Sequence, residues 1–179
     1  MNKKLDIELK KKIRVVPDFP KKGILFQDVT SITDDNKLFK KVVVKLSNYV
    51  KKNKISKIAG IEARGFIFGS AVAIQCGLPF IPLRKKNKLP GSTYKQKYKL
   101  EYGEDEIHVH RNAINKKDKI LIIDDLIATG GTALAAGKLL NKFYPKSIEF
   151  YFIINLSNLS GLKKLEKKYV SSFIIKADC

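Results

Sequence analysis

The segment with the clearest chemical meaning places two adjacent carboxylates just before a loop of glycines and threonines. An apolar run over residues 120–123 ends at Asp124 and Asp125, and residues 128–132 then read Ala-Thr-Gly-Gly-Thr before a predicted helix. Backbone N–H groups in such a loop can bind a phosphate, and glycines let the backbone approach it closely. Carboxylates accept hydrogen bonds from sugar hydroxyls. The segment therefore predicts a sugar-phosphate pocket at the carboxyl end of a buried strand.

The elements that would position this segment follow from hydrophobic periodicity. Apolar residues at helical spacing predict helices over residues 5–13, 36–52, 66–76, 132–144 and 161–168. Short apolar runs predict extended segments over residues 24–29, 57–61, 80–83, 119–123, 148–154 and 173–175. Their alternation predicts an α/β fold with a central, mainly parallel sheet and helices on both faces.

A less regular region follows the strand over residues 80–83. Residues 85–98 are polar and basic and contain Pro90 and Gly91, which predicts a loop. The residues around Leu100 and residues 107–110 are predicted to pair as antiparallel strands about a turn at Gly103.

Length and charge narrow the class of protein. The chain has 179 residues, the usual size of one domain, and 44% of them are hydrophobic, which excludes a wholly disordered chain. Its formal net charge of +19 comes from 32 Lys and 4 Arg against 17 Asp and Glu. Because the lysines are scattered along the whole chain and arginine is scarce, we expect solvated surface lysines and no specific nucleic-acid site.

The cysteines and the N-terminus bear on the cellular setting. Cys76 and Cys179 cannot build a disulfide framework, which favours a reducing, intracellular setting. Residues 1–12 lack the apolar core of a secretory signal, and the apolar stretch over residues 65–83 is interrupted by polar residues and proline. We therefore expect a soluble, cytoplasmic protein that does not bind membranes.

Four further segments carry a family resemblance. They are residues 17–28 (PDFPKKGILFQD), 60–69 (GIEARGFIFG), 84–91 (RKKNKLPG) and 100–103 (LEYG). With the acidic pair and its loop, and in the same order along the chain, they resemble the adenine phosphoribosyltransferases, a branch of the type I phosphoribosyltransferase family. The resemblance extends over about residues 5–175.

The resemblance implies an activity and an architecture. The 5-phosphoribosyl group would pass from 5-phospho-α-D-ribose 1-diphosphate to N9 of adenine, giving AMP and diphosphate in purine salvage. Mg²⁺ would be required but carried by the diphosphate, with no direct ligand from the chain and with Asp124 and Asp125 nearby. The chain would be a homodimer of one domain over residues 1–179, with a small N-terminal hood over about residues 1–35 and a flexible lid over about residues 85–98.

The resemblance also implies roles for individual residues. Substrate contacts are implied for Leu25, Phe26, Gln27, Arg64, Lys88, Tyr102, Asp124, Asp125, Ala128, Thr129, Gly130, Gly131 and Thr132. The acidic pair would hold the ribose hydroxyls, residues 128–132 would wrap the 5′-phosphate, and residues 25–27 would recognise adenine, largely through backbone groups. Arg64 and Lys88 would stabilise the leaving diphosphate, and Glu101 matches the family's candidate acid/base carboxylate.

Two positions depart from the family pattern, and two other functions stay open. Many family members carry Arg at the positions of Gln27 and Leu162. A regulator that senses the same donor and binds nucleic acid would agree with the high charge, but it would not need all of Arg64, Lys88 and Glu101. A phosphoribosyltransferase for a 6-oxopurine typically has Asp at the position of Ala128, so alanine there favours adenine.

Overall fold

A seven-stranded sheet forms the centre of the protein, for which a computed structural model describes residues 3–99 and 103–178. In chain order the elements are α1 (Lys3–Lys12), β1 (Arg14–Pro17), β2 (Leu25–Asp28), α2 (Thr30–Thr33), α3 (Asn36–Asn53), β3 (Lys57–Ile61), α4 (Arg64–Cys76), β4 (Phe80–Lys85), β5 (Thr93–Lys99), β6 (Glu104–His110), β7 (Lys119–Ile127), α5 (Gly131–Asn141), β8 (Ser147–Leu156), α6 (Gly161–Glu166) and β9 (Val170–Ala177). No helix in these ranges is both long enough and apolar enough to cross a membrane.

The strand order of the sheet is β5-β6-β4-β3-β7-β8-β9. The run from β4 to β9 is parallel throughout, whereas β6 is antiparallel to both β4 and β5. From β3 the chain continues outward to β4, and it later returns to the other side of β3 as β7. The strand order therefore reverses between β3 and β7, which is where open α/β sheets bind ligands beyond the strand ends.

Two hydrophobic cores cover the faces of the sheet. Along β7, Leu121 and Ile123 pack with α1, α3 and α4, whereas Ile120 and Ile122 pack with α5 and α6. All four side chains are fully buried. A parallel strand that is covered on both faces reads as a continuous apolar run rather than as alternating residues, which explains why this strand was recognisable from its sequence.

A small antiparallel sheet of two strands lies within residues 1–35, the segment predicted to be an N-terminal hood. Strand β1 pairs with β2 in the register Val16 with Phe26. The side chain of Gln27 is buried, and its Nε2 donates to the carbonyl oxygen of Asp178 at 3.1 Å. This bond attaches the hood to the end of the chain just beyond β9.

The loop predicted over residues 85–98 is shorter than expected, which corrects that prediction. Strand β4 continues to Lys85, and β5 begins at Thr93 and pairs with β6 as an antiparallel hairpin, so the loop spans only residues 86–92. In β5, Tyr94, Gln96 and Tyr98 are half-buried and alternate with exposed lysines. This period of two is that of a half-buried strand, and the charge of the lysines concealed it. Two short elements, β1 and α2, were not predicted.

Candidate active site

A cleft of about 320 Å³ opens at the carboxyl ends of β3 and β7, at the point where the strand order reverses. Residues 61–64 form one wall and residues 124–133 form another, and Lys85 and Tyr98 complete the lining. The structure therefore brings Arg64, the acidic pair and residues 128–132 into one cavity, and their roles toward a substrate stay predictions.

The acidic pair lies toward the end of β7, and few of the described groups donate hydrogen bonds to its carboxylates. Asp125 is buried, and its Oδ2 lies 2.7 Å from Arg64 Nε as an ion pair that lacks the alignment of a hydrogen bond. Asp124 Oδ1 accepts from the backbone N–H of Asp125 at 3.0 Å. Burial raises the pKa of Asp124 above its ordinary value, and the neighbouring Asp125 raises it further. Burial also raises the pKa of Asp125, although Arg64 opposes the shift.

The raised pKa values of Asp124 and Asp125 indicate which chemical groups this pair can bind. Two buried carboxylates side by side are stabilised by any group that donates hydrogen bonds to them or brings positive charge. Sugar hydroxyls are such donors, and a divalent cation held by a neighbouring phosphate would supply the charge. Among the described residues, no group of three or more His, Cys, Asp or Glu side chains could hold a metal ion.

The loop over residues 128–132 passes from β7 into α5. Gly130 has a φ of +82°, a left-handed conformation that strains other residues. Its carbonyl accepts from Leu134 N at 2.9 Å, and α5 begins at the next residue. The first residues of α5 line the cleft, and the N–H groups of a helix's first turn have no partner within the helix, so this end of α5 suits an anion.

A second glycine, which was not among the predicted site residues, contacts the backbone of this loop. Gly161 N donates to the carbonyl of Ala128 at 3.1 Å, and a Cβ built on Gly161 would lie only 2.1 Å from that oxygen. The first residue of α6 thus packs directly on the loop backbone. The sequence carries no local signal of this contact, because Gly161 lies about thirty positions further along the chain.

Arg64 begins α4 and connects the acidic pair with the hood. A Cβ on the next residue, Gly65, would lie 2.6 Å from the carbonyl of Ile123, so glycine allows α4 to start directly against the end of β7. The Arg64 guanidinium lies 5.2 Å from the centre of the Phe26 ring, within the range of a cation–π contact. Phe26 also packs edge-to-face with the exposed Phe19.

The other hood residues predicted at the site take different positions. Leu25 is exposed, and the Gln27 side chain is buried against Asp178. Of the three, Phe26 alone has a described contact with a residue of the cleft. Glu101 and Tyr102 lie outside the described residues.

Lys85, rather than Lys88, lines the cleft. Lys88 is exposed and is not part of the described lining, whereas Lys85 Nζ lies 3.3 Å from Asp105 Oδ2. That carboxylate also accepts from the hydroxyl of Tyr98 at 3.1 Å. Burial alone would raise the pKa of Asp105, but the N–H of Glu106 and the two side chains hold it below its ordinary value. Sequence analysis assigned no role to Lys85, Tyr98 or Asp105.

Glu62 and Arg84 form a further pair that the sequence did not reveal. Arg84 Nε and Nη2 each lie 3.2 Å from one of the two carboxylate oxygens of Glu62, in a two-pronged ion pair. Glu62 Oε2 also accepts from Lys85 N at 3.0 Å, and Arg84 Nη1 donates to Lys88 O at 2.7 Å. The Arg84 hydrogen bond lowers the pKa of Glu62, which is therefore ionised at neutral pH.

Comparison with known proteins identifies the family. A model of the phosphoribosyl transferase domain family matches residues 28–178. The adenine phosphoribosyltransferase of Clostridium botulinum (strain Loch Maree / Type A3) is 46% identical over 168 residues, 94% of this chain and 98% of that protein.

Solved structures agree in fold over nearly the whole chain. The crystal structure of adenine phosphoribosyltransferase from Rhodothermus marinus superimposes with a TM-score of 0.91 at 38% identity and covers 98% of this chain and 100% of its own. The Saccharomyces cerevisiae enzyme, solved with adenine and an imino-altritol bisphosphate, has a TM-score of 0.89 at 37% identity, with coverage of 94% and 97%. The chain belongs to the adenine phosphoribosyltransferases, within the phosphoribosyl transferase family.

Proposed function

We propose that the protein transfers the 5-phosphoribosyl group from 5-phospho-α-D-ribose 1-diphosphate to N9 of adenine, releasing diphosphate and AMP. The observation that carries this proposal is the meeting of an acidic pair, an anion-binding loop and an arginine in one cleft, in a chain similar to enzymes of that name. Each part of the donor then has a chemically matched group in the cleft.

The donor would bind along the cleft with its two charged ends apart. The N–H groups of residues 129–132 would donate hydrogen bonds to the 5′-phosphate, and Asp124 and Asp125 would accept hydrogen bonds from the ribose hydroxyls. Arg64 and Lys85 would face the diphosphate. Lys88 stays in the proposal as a group that reaches the diphosphate only if the 86–92 loop moves toward the cleft.

The reaction breaks the bond between ribose C1 and the diphosphate oxygen and forms a bond between C1 and N9. Positive charge develops on the sugar, beside the acidic pair, and negative charge develops on the diphosphate, beside Arg64 and Lys85. Mg²⁺ carried by the diphosphate would neutralise part of that negative charge. The proton leaves N9, and Glu101 is the proposed acceptor.

Adenine recognition is proposed for the backbone of β2. Among the described residues β2 pairs only with β1, so its other edge has N–H and C=O groups available for a base. Adenine offers a donor at N6 and an acceptor at N1, whereas hypoxanthine reverses both. A site built for the first pattern rejects the second by about 10⁴-fold.

The direct test supplies purified protein with the donor, Mg²⁺ and, separately, adenine, hypoxanthine, guanine or uracil. We expect AMP from adenine and negligible product from the other three bases. Comparable efficiency with hypoxanthine would contradict adenine specificity, and no turnover with any base would contradict the enzymatic proposal.

We also propose a homodimer that works in the cytoplasm. Ile67 and Ile74 lie on one side of α4 and are 38% and 83% exposed, an apolar surface that a second copy could cover. Sedimentation at micromolar concentration should give a dimer, and a stable monomer would contradict the assembly. The highly charged donor does not cross membranes unaided, which supports a cytoplasmic setting.

A further inference from the structure

The strand that we propose for adenine recognition lies in a sheet too small to hold its own position. Strand β2 pairs with β1 in a sheet of two strands, and such a pair is only marginally stable in water by itself. The position of β2 relative to the cleft therefore depends on its contacts with the rest of the chain.

Two neighbouring residues of β2 make contacts on opposite faces of the strand. Phe26 lies against the guanidinium of Arg64, which lines the cleft. The side chain of Gln27 is buried, and its Nε2 donates to the carbonyl oxygen of Asp178 at 3.1 Å. Because successive side chains of a strand alternate between its two faces, a bond that holds Gln27 also fixes the rotation of β2 about its own axis. The same bond thereby sets where Phe26 and the backbone edge of β2 lie relative to the cleft.

The carbonyl that accepts from Gln27 belongs to a segment that the large sheet holds in place. Asp178 directly follows β9, and its Oδ1 accepts from the hydroxyl of Ser157 at 2.7 Å. The backbone N–H of Ser157 donates to the carbonyl of Ala177 at 2.8 Å. Ser157 itself directly follows β8, in which residues 150–156 are all buried. Residues 177–178 are therefore tied to the packed centre of the protein.

We propose that residues 177–178 position the adenine-binding edge of β2 through the side chain of Gln27, and that they act on the base only through this strand. The inference rests on the proposed function, because it takes β2 to be the strand that binds adenine. A buried amide that loses its acceptor is left with an uncompensated cost of desolvation, so the bond between Gln27 and Asp178 stays formed. It makes Gln27 a positioning residue, coupling β2 to the large sheet.

This positioning role affects one part of the product and not the rest. AMP and ribose 5-phosphate share the sugar and the phosphate, which the acidic pair and residues 128–132 would hold, and they differ in the adenine. Loss of the bond should therefore weaken the binding of AMP and leave that of ribose 5-phosphate unchanged. A general loss of structure would weaken the binding of both ligands.

The experiment titrates AMP and, separately, ribose 5-phosphate into wild type and two variants by calorimetry. Gln27→Met removes the amide donor, and a variant shortened to end at Ala177 removes the acceptor while keeping β9 whole. We expect each change to weaken AMP binding about three- to tenfold, the loss of one hydrogen bond, and to leave ribose 5-phosphate binding within about twofold of wild type. Equal losses for both ligands, or wild-type affinity for AMP in either variant, would overturn the proposal. Because the two changes remove the same bond from opposite sides, either variant decides the question if the other does not fold.

Combining the two changes tests whether they act through the same bond. The combined variant should bind AMP no more than about twofold more weakly than Gln27→Met, and losses that multiply would contradict the proposal. Asn53→Leu is the matched control, because Asn53 Nδ2 also donates to a backbone carbonyl, that of Tyr49 at 2.9 Å, at the end of α3. We expect this control to bind AMP as wild type does, and a loss equal to that of Gln27→Met would refute the role of β2. Wild-type protein that turns over no base would instead refute the proposed function, and that result needs no variant.

Discussion

Replacing Gly161 with alanine tests whether the start of α6 sets the position of the phosphate loop. In the structure a Cβ at this position would lie 2.1 Å from Ala128 O and 2.6 Å from Gly130 N. Both are backbone atoms, so no flexible side chain can move aside. An ordinary contact begins near 3.4 Å, and the two segments would therefore have to separate by more than 1 Å.

The size of the effect follows from that displacement. Moving a binding group by about 1 Å costs on the order of 10²-fold in activity, even when the change lies away from the chemistry. We expect kcat/KM for the donor to fall by about this factor in Gly161→Ala. Binding of ribose 5-phosphate, which probes the loop without the diphosphate, should weaken by about ten- to a hundredfold.

The stability of the Gly161→Ala variant provides an independent test of the contact between α6 and the phosphate loop. Helix propensity alone favours alanine over glycine by about 1 kcal/mol. Overpacking opposes it with about 1–3 kcal/mol, so we expect a net loss in the free energy of unfolding, measured in urea. Ser160→Ala is the control, because Ser160 is exposed and makes no side-chain bond to α6. If Gly161→Ala bound ribose 5-phosphate normally and gained stability, the contact would have no part in shaping the loop.

Three other predictions concern charge in the cleft. Changing Asp124 and Asp125 together to Asn removes charge-assisted hydrogen bonds worth about 1.5–3 kcal/mol each. Turnover should fall by more than donor binding weakens, because the sugar is more positive in the transition state than in the bound donor. Steady-state kinetics and a donor titration measure turnover and binding separately, and normal turnover at saturating donor would refute the proposed role of the acidic pair. Burial and Asp125 raise the pKa of folded Asp124, so its contribution to stability is full below about pH 4 and is lost as the pH rises through the folded pKa. Asp124→Asn should therefore gain stability relative to wild type as the pH rises from about 4 through the folded pKa of Asp124, measured by urea unfolding at several pH values, and a difference that stays constant with pH would refute this. Lys85→Ala should weaken the binding of Mg²⁺–pyrophosphate by about tenfold in a calorimetric titration, and Lys88→Ala should weaken it less. A larger effect of Lys88→Ala would show that the loop over residues 86–92 closes onto the ligand.

The sequence predicted those parts of the fold whose signal is local. The strand β7, the acidic pair and the loop into α5 are contiguous, so their order alone indicated a phosphate pocket beyond a strand. The alternation of strands and helices likewise indicated a parallel sheet with both faces covered, since that pattern depends on neighbouring residues only.

The parts that were missed depend on residues far apart in the chain. Glu62 and Arg84 meet because β3 and β4 are adjacent and parallel, and Gln27 reaches Asp178 across almost the whole sequence. Hydrophobic periodicity carries no information about contacts between residues so far apart in the sequence. The position of Lys85 in the cleft lining was missed for a related reason: among several lysines in one basic segment, only the end of β4 decides which one lines the cleft.

The lysines of β5 have a consequence for how copies of this protein behave at high concentration. Strand β5 is the outermost strand on its side of the sheet, and an exposed edge can recruit a strand from another molecule. Here Lys95 and Lys97 are exposed along it, and the carbonyls of Thr93 and Lys95 accept bonds from Arg111 and Lys142. The edge is therefore both electrostatically repellent and partly occupied by the protein's own side chains, which protects the sheet from intermolecular strand addition and from aggregation by that route.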